Sequence, residues 1–276
     1  MDFIELKVTV SPEWSEIVVA ELAQIGYESF VEFDEGVLAY VQKSQFSEEL
    51  CQTTLEKYSS FTPVSYHFEQ MQRKNWNEEW EKNYPPIVID KQCLVRASFH
   101  PPDEQYPYEI VINPQMSFGT GHHETTTLIL ESQLRIDHTG LKVLDAGCGT
   151  GILAIMACKR GAAQIDAYDI DEWAVTNAIE NCEMNHCNHI RIQQGTIATV
   201  MLDNVYDLML ANINRNILLD EMPLYASKLT SGGQLILSGF YELDIPELEK
   251  RAAEFQLGKK QQTARLQWAS LWLEKR

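Results

Sequence analysis

At 276 residues the chain has room for two modest domains, and its composition, 45% hydrophobic and 22% charged, excludes an intrinsically disordered protein. The net charge of −18 disfavours nucleic acid as a partner and favours basic partners. The first residues lack the features of a secretory signal, and no apolar run approaches the roughly 18 residues needed to cross a membrane, so we expect a cytoplasmic protein.

The first 70 residues predict a small domain of mixed helices and strands. Apolar and polar residues alternate from Ile4 to Val10, which is the period of a half-buried strand. Ser11-Pro12 begins a helix that Gly26 ends, and residues 34–36 form a hairpin-type turn. Strands are expected near residues 4–10, 28–33, 37–42 and 62–68, and helices near 12–25 and 47–58. This β-α-β-β-α-β order is that of the ferredoxin-like motif.

The same 70 residues are strongly acidic. They contain thirteen acidic and three basic residues, which gives a net charge of −10. Because no motif in this region is typical of a catalytic site, we expect it to recognise a basic partner. The alternative is that the acidic surface serves only solubility.

Residues 71–84 are polar and predict a helical connector that ends at Pro85 and Pro86. Trp76 and Trp80 lie four residues apart and therefore share one face of that helix. We expect this face to pack against one of the domains, with a ligand contact as the alternative.

Residues 113–127 precede the next predicted helix and combine an aromatic side chain, two glycines and several hydroxyl groups. Such a loop can fold over a bound ligand, with Phe118 against a flat ring and threonine side chains bonding the ligand or capping the helix. Many polar loops serve only as connectors, but the segment 118–121 (Phe-Gly-Thr-Gly) has an unusual composition for a connector.

From residue 141 onward, strands and helices alternate, which predicts a parallel sheet covered by helices on both faces. Two last strands follow one another without a helix and predict an antiparallel hairpin at the sheet edge. The strands are expected near 141–145, 164–169, 189–193, 205–211, 234–239, 261–267 and 269–274. This α/β pattern resembles the class I methyltransferase fold more than a dehydrogenase domain.

A glycine loop follows the first strand of this sheet. Gly147, Gly149 and Gly151 have the spacing G-x-G-x-G rather than the G-x-G-x-x-G that binds a pyrophosphate. Gly147 and Gly149 allow a tight turn and the close approach of a ligand. Asp169 ends the next strand, where a carboxylate can accept hydrogen bonds from both hydroxyls of a ribose. Its alternative role is a helix N-cap, but Asp171 fits that role better.

Asn212 ends the fourth strand of the predicted sheet. Ligands of open sheets bind beyond the carboxyl ends of the strands, so Asn212 should face the same crevice as Gly147 and Asp169. Its amide has both donors and an acceptor and could hold a cofactor and an incoming amine. A turn-forming asparagine at a strand end is the alternative.

The cysteines predict neither disulfides nor a metal site. None of the six forms a Cys-x-x-Cys pair, which is typical of reduced thiols in a cytosolic enzyme. Cys182, His186, Cys187 and His189 lie close in sequence but lack a complete ligand spacing. We therefore expect no bound metal.

Together, the segments 118–126, 145–151, 169–171 and 211–213 closely resemble the PrmA-type ribosomal-protein methyltransferases of bacteria, and the two-domain layout extends the resemblance over essentially the whole chain. The resemblance implies an enzyme that uses S-adenosyl-L-methionine to trimethylate lysine side chains and the N-terminal amine of ribosomal protein L11. It also implies a ferredoxin-like substrate-recognition domain (1–70), a mobile linker (71–84) and a class I, Rossmann-like catalytic domain (85–276). An acidic docking face suits such a basic substrate.

The resemblance also implies roles for individual residues. The cofactor-binding residues are Phe118, Thr120, Thr126, Gly147, Gly149, Asp169 and Asn212. Of these, Asn212 is also the catalytic residue, and the segment 118–121 closes over the cofactor. His122 and Glu124 occupy positions that vary in this family, and we expect His122, His123 and Glu124 to support the loop rather than to act as a general base.

Other functions remain open at this point. Adenine-N6 and glutamine-N5 methyltransferases carry Asn-Pro-Pro-Tyr after the fourth strand, whereas residues 212–215 are Asn-Ile-Asn-Arg. The glycine spacing disfavours a nicotinamide oxidoreductase. A catalytically inactive adaptor with a methyltransferase fold is a further alternative.

Overall fold

The computed structural model describes residues 3–71, 84–113, 123–202 and 205–276. Contacts between residues divide the chain into two compact units, residues 1–80 and 81–276. The predicted helical connector, with Trp76 and Trp80, lies outside the described residues except for its two end residues. Among the described residues, every helix is too short or too polar to traverse a lipid bilayer.

The smaller unit is a four-stranded antiparallel sheet with two helices. Its elements are β1 (Phe3–Thr9), α1 (Pro12–Gln24), β2 (Ser29–Phe33), β3 (Gly36–Gln42), α2 (Glu48–Glu56) and β4 (Ser65–Gln70). The strands lie side by side in the order β2-β3-β1-β4. Alternate residues of β1, such as Leu6 and Val8, pack with Leu22 of α1 and Leu55 of α2 in the core. The element order agrees with the β-α-β-β-α-β order predicted from the sequence.

The larger unit alternates strands and helices over most of its length. Its elements are β5 (Ile87–Ile89), β6 (Cys93–Ala97), β7 (Tyr108–Ile112), α3 (Glu124–Leu134), β8 (Lys142–Ala146), α4 (Ile152–Lys159), β9 (Gln164–Asp169), α5 (Glu172–Met184), β10 (Arg191–Gln194), β11 (Tyr206–Asn212), α6 (Arg215–Lys228), β12 (Leu229–Tyr241), a 3₁₀ turn (Glu242–Asp244), α7 (Ile245–Ala253), β13 (Leu257–Arg265) and β14 (Trp268–Lys275).

Seven of these strands form one mixed sheet in the order β10-β9-β8-β11-β12-β14-β13. The first five are parallel, and β14 runs antiparallel to both β12 and β13. The predicted terminal hairpin is therefore present. Its last strand lies inside the sheet, between β12 and β13, rather than at the edge.

The two faces of this sheet are covered by different helices. Val143 of β8 packs with α3 and α4, whereas the next residue, Leu144, packs with α6 and α7. Successive side chains of a strand point to opposite faces, so an unbroken apolar run is buried on both sides. This burial explains the unbroken apolar run at residues 208–211 of β11.

The structure departs from the predicted elements in two places. The strands β5, β6 and β7 form a separate three-stranded sheet that the sequence analysis does not anticipate. The sequence also predicts a helix between β10 and β11. This prediction is wrong for the described residues of that connection, because residues 196–200 form a turn. In the turn, the Thr199 and Val200 amides donate to the Thr196 carbonyl.

Candidate active site

A cavity of about 670 Å³ lies at the carboxyl ends of the central parallel strands. Its volume is within the range of small-molecule sites, roughly 300–1,000 Å³. The residues that line it come from the ends of β8, β9, β11 and β12, from the turn after β10, from α6, and from the starts of α3 and β14. They are His123, Thr125, Gly147, Gly149, Tyr168, Asp169, Ile170, Thr196, Asn212, Ile213, Asn214, Ile217, Asp220, Glu221, Gly239 and Trp268.

Asp169 is fixed at one end of this crevice by backbone amides. The Gly149 amide donates to Asp169 Oδ2 over 2.9 Å, and the Asp171 amide donates to Oδ1 over 3.0 Å. An ionised carboxylate can accept about four hydrogen bonds, so each oxygen can accept one more from a ligand. Asp171 itself caps α5 by accepting from the Trp173 amide, as the sequence predicts.

Two glycines hold the segment that follows β11. Gly147 has a φ of +67° and Gly239 has a φ of +94°, a region that other residues rarely adopt. A Cβ atom on Gly147 would lie 2.4 Å from Cγ2 of Ile213, and one on Gly239 would lie 2.3 Å from the Ile213 carbonyl oxygen. Ile213 therefore packs directly against both glycines, which fixes the backbone beside Asn212.

Asn212 lies between these glycines and is only 8% exposed. Its Nδ2 donates to Oγ1 of Thr126 over 3.1 Å, and Thr126 is fully buried behind it. Asn212 Oδ1 has no hydrogen-bond partner among the described residues. Because an unpaired buried carbonyl costs free energy, this oxygen is suited to accept a hydrogen bond from a ligand.

His123 caps the N-terminus of α3 and lines the crevice. The Thr125 amide donates to its Nδ1 over 3.3 Å, and the Thr125 hydroxyl lies 2.7 Å from the same nitrogen. Thr125 thus contacts Nδ1 through both its amide and its hydroxyl group, which ties the ring to the start of α3 and favours a structural role for His123.

Aromatic side chains bound the opposite end of the crevice from Asp169. The ring centroids of His123 and Trp268 are 4.6 Å apart, and their planes meet at 70°. Tyr241 stacks on Trp268 with centroids 4.2 Å apart and planes at 29°. Both His123 and Trp268 line the crevice, so this end has an aromatic surface.

Asp145 lies beneath the glycine loop and is fully buried. Burial raises the pKa of its carboxyl group to about 7, the charge of Asp169 adds to the increase, and a hydrogen bond from the Ala154 amide opposes it. The Asp145 carboxyl thus binds a proton near neutral pH. Its Oδ1 has no hydrogen-bond partner among the described residues.

The structure brings together four of the residues that the sequence analysis selects, since Gly147, Gly149, Asp169 and Asn212 all line the crevice. Thr126 does not line it and contacts Asn212 instead. Phe118 and Thr120 lie outside the described residues.

Comparison with known proteins identifies the family. The family model for ribosomal protein L11 methyltransferase (PrmA) matches residues 3–276. The chain belongs to this family. A ribosomal protein L11 methyltransferase of Bacteroides fragilis is 44% identical over 259 residues, which cover 93% of this chain and 92% of the relative. One from Porphyromonas gingivalis is 45% identical over 258 residues, covering 93% and 89%.

Solved structures support the same family. The ribosomal protein L11 methylase of Lactobacillus delbrueckii subsp. bulgaricus has a TM-score of 0.64 and 32% identity, over 70% of this chain and all of that one. A methyltransferase from Pyrococcus furiosus has a TM-score of 0.52 and 19% identity over 60% of this chain and 89% of that one, which shows the fold alone. The larger unit therefore has the class I methyltransferase fold, and the family excludes the oxidoreductase alternative.

Several residues that line the crevice of this family member were not selected from the sequence. Gly239 lies inside a strand and Trp268 begins a hairpin strand, so neither belongs to a local motif. A glycine within an apolar strand is a signal of close backbone approach, and this signal was available for Gly239. Trp268 has no comparable signal, because its place depends on how the hairpin joins the sheet.

Proposed function

We propose that this protein transfers methyl groups from S-adenosyl-L-methionine to lysine side-chain amines and the N-terminal amine of ribosomal protein L11. Membership of the family supports the substrate. The crevice supports methyl transfer from this cofactor. The main observation is that one cavity contains the Gly147 loop, the fixed carboxylate of Asp169 and the unpaired Oδ1 of Asn212.

The described residues fit S-adenosyl-L-methionine. The free acceptor capacity of the Asp169 oxygens suits the two hydroxyls of a ribose. Gly147 and Gly149 leave no side chain between the loop backbone and a ligand, and Oδ1 of Asn212 can accept a hydrogen bond from an amine. When bound, this cofactor supplies an electrophilic methyl group on a positively charged sulfur. We include Thr126 as a positioning residue that orients the Asn212 amide.

The acceptor amine must lose its proton before it can react. For a lysine with a pKa of about 10.4, forming the neutral amine at pH 7 costs roughly 4.6 kcal/mol, whereas an α-amine with a pKa near 7.7 costs only about 1 kcal/mol. Desolvation lowers the pKa of a buried lysine by as much as roughly 3–5 units. The crevice can therefore provide most of this free energy without a general base, and positioning by Asn212 provides further rate acceleration.

We also propose that the smaller unit is a ferredoxin-like domain that docks the basic substrate, with boundaries at 1–70, a linker at 71–84 and the catalytic domain at 85–276. Its acidic side chains are exposed at Glu13, Glu16, Glu28, Glu32, Asp34, Glu35, Glu48, Glu49, Glu56 and Glu69. Phe61 is 71% exposed and stacks on Trp14 in the same unit. Acidic surface beside an exposed aromatic ring is suited to recognising a basic protein.

The loop at residues 118–121 has a place in this proposal as a cover over the cofactor. In the sequence it directly precedes residues that line the crevice, His123 and Thr125. Phe118 would contact a flat ring of the ligand, and Thr120 would bond to it.

The test uses the full chain with unmethylated ribosomal protein L11 and isotopically labelled cofactor, followed by mass spectrometry of the product. We expect label on lysine and N-terminal amines. Asn212→Ala should reduce the rate by at least about 100-fold, because an oriented polar contact to the reacting group is lost. Asn216→Ala, an exposed asparagine on α6, is the matched control. The absence of labelled L11 with the unaltered protein would reject the proposal.

A further inference from the structure

The aromatic end of the crevice is distinct from the end that holds Asp169. We call the two rings that line it, those of His123 and Trp268, the aromatic corner. Their planes meet at 70° with centroids 4.6 Å apart, so they present two walls at nearly a right angle. A tetrahedral ammonium group can contact both walls at once.

The order of strands locates the aromatic corner beyond Asn212. Asp169 ends β9, Gly147 follows β8, Asn212 ends β11, Gly239 lies in β12 and Trp268 begins β14, which is their order across the sheet. Neighbouring strands are about 4.8 Å apart, so β14 lies four strand spacings, or roughly 19 Å, from β9. A cofactor with its ribose at Asp169 and its amino-acid portion over the Gly147 loop leaves the space beyond Asn212 for the acceptor amine.

The aromatic corner is held rigidly by the surrounding structure. Tyr241 stacks on Trp268 and is also its paired residue on β12. The turn before Trp268 is fixed by the Glu242 amide, which donates to the Gln267 carbonyl over 2.8 Å. The hairpin is tied to α3, which His123 caps, because Arg265 forms ion pairs with Glu124 at 3.5 Å and Glu131 at 2.7 Å. The two walls are therefore preorganised.

We propose that the aromatic corner is the acceptor subsite and that it stabilises the amine as it gains successive methyl groups. This inference rests on the proposed function. In each transfer, the lone pair of the neutral amine forms a bond to the methyl carbon while the carbon–sulfur bond breaks and its electrons stay on sulfur as a neutral thioether. The positive charge thereby moves from sulfur to nitrogen. The new ammonium loses a proton to water before the next transfer. After the third transfer the nitrogen carries no proton, and methylation stops.

Aromatic rings suit this sequence of acceptors. A ring attracts an alkylammonium through its π-electrons, by about 0.5–2 kcal/mol, and this attraction does not require an N–H donor. A carboxylate attracts the protonated lysine more strongly than a ring does and therefore opposes its deprotonation more. The aromatic corner can therefore bind the mono-, di- and trimethylated states alike, whereas hydrogen bonding to the acceptor weakens with each methyl group added.

The first experiment compares Trp268→Leu with Trp268→Phe in the full chain, using L11 as substrate and mass spectrometry to measure the mono-, di- and trimethylated fractions. We expect Trp268→Phe to retain mostly trimethylated product. Trp268→Leu should accumulate mono- and dimethylated L11, with the third transfer slowed about tenfold or more. Calorimetry should give both variants the cofactor affinity of the unaltered protein. Trp173→Leu, which removes a tryptophan that is 78% exposed and outside the crevice, is the control.

The second experiment uses the unaltered protein and therefore does not depend on the folding of a variant. It compares binding of a peptide that carries trimethyllysine with binding of the same peptide carrying the uncharged carbon analogue. We expect the charged peptide to bind about threefold or more tightly. Equal binding of the two peptides, or an unchanged product distribution in Trp268→Leu, would overturn the inference. Either result would leave the proposed function standing if the unaltered protein still methylates L11.

Discussion

Each oxygen of Asp169 already accepts one backbone hydrogen bond, so the carboxylate is oriented before any ligand arrives. Asp169→Ala should therefore weaken the binding of S-adenosyl-L-methionine by about tenfold or more, the loss expected for hydrogen bonds to a charged group. Isothermal titration calorimetry measures the effect. Asp171→Asn preserves the cap of α5 two residues away and should bind the cofactor normally. Unchanged affinity in Asp169→Ala would reject the ribose contact.

Asp145 makes the stability of the protein depend on pH. Burial raises the pKa of its carboxyl group to about 7 from an ordinary value of 3.8. The folded protein thus holds this proton more tightly than the unfolded chain, and the resulting stability is complete below pH 3.8 and lost as the pH rises through 7. Asp145→Asn cannot ionise and avoids this loss.

We therefore expect the free energy of unfolding of Asp145→Asn, relative to the unaltered protein, to increase from pH 5 to pH 8 by about 1–3 kcal/mol. Denaturant unfolding at the two pH values measures the change. Asp137→Asn, at an exposed turn, is the comparison that should show no such increase. A difference that stays constant with pH would contradict the assignment of a buried, proton-binding carboxyl group.

At the scale of the secondary-structure elements, β12 shifts register at Gly239, where the backbone of Ile213, the residue after Asn212, packs against it. Gly239→Ala would place a methyl group 2.3 Å from the Ile213 carbonyl oxygen and should displace the segment after β11. We expect kcat/KM for methylation to fall by at least about tenfold, since small displacements of a positioning group are costly. Gly232→Ala is the matched control, because Gly232 has a φ of +77° in the same strand and nothing within 4 Å of the added methyl group. Equal activity of the two variants would contradict this role.

The elements that the sequence predicts well are those with a local cause. The apolar run at residues 208–211 of β11 reflects a sheet that is covered on both faces, and Asp171 marks the start of α5 through its own cap. The glycine loop follows one predicted strand, and Asp169 ends the next. Trp268 could not be placed in the site, because its position depends on the insertion of β14 between β12 and β13. Gly239 did carry a signal, because a glycine inside the predicted strand 234–239 indicates close backbone approach. Strands β5–β7 are short and offered no sustained period.

At the scale of the whole molecule, we expect cofactor binding to depend on the larger unit alone and activity on ribosomal protein L11 to require both units. A variant lacking residues 1–70 should bind S-adenosyl-L-methionine with normal affinity yet lose most of its activity on ribosomal protein L11, by about 100-fold or more, because it loses the proposed acidic docking surface. Calorimetry and the methylation assay measure the two properties. Full activity of the shortened protein would reject the docking role.

A full-length comparison separates docking from folding. Replacing Glu48, Glu49 and Glu56 of α2 by glutamine removes three exposed charges without removing the unit. The KM for L11 should increase several-fold and become less sensitive to salt, because the variant loses charge attraction to the basic substrate, and salt weakens only that attraction. The affinity for the cofactor should not change.

The crevice draws His123, Gly147, Asn212 and Trp268 from segments that are far apart along the chain. A molecule bound there contacts all of these segments and stabilises the folded larger unit. A free ligand concentration of 100 times the Kd adds about 2.7 kcal/mol to the free energy of unfolding. The lifetime of the protein is thereby coupled to the supply of its methyl donor. A cell depleted of that donor should degrade this protein faster, which limited proteolysis with and without the donor would reveal as a difference in half-life.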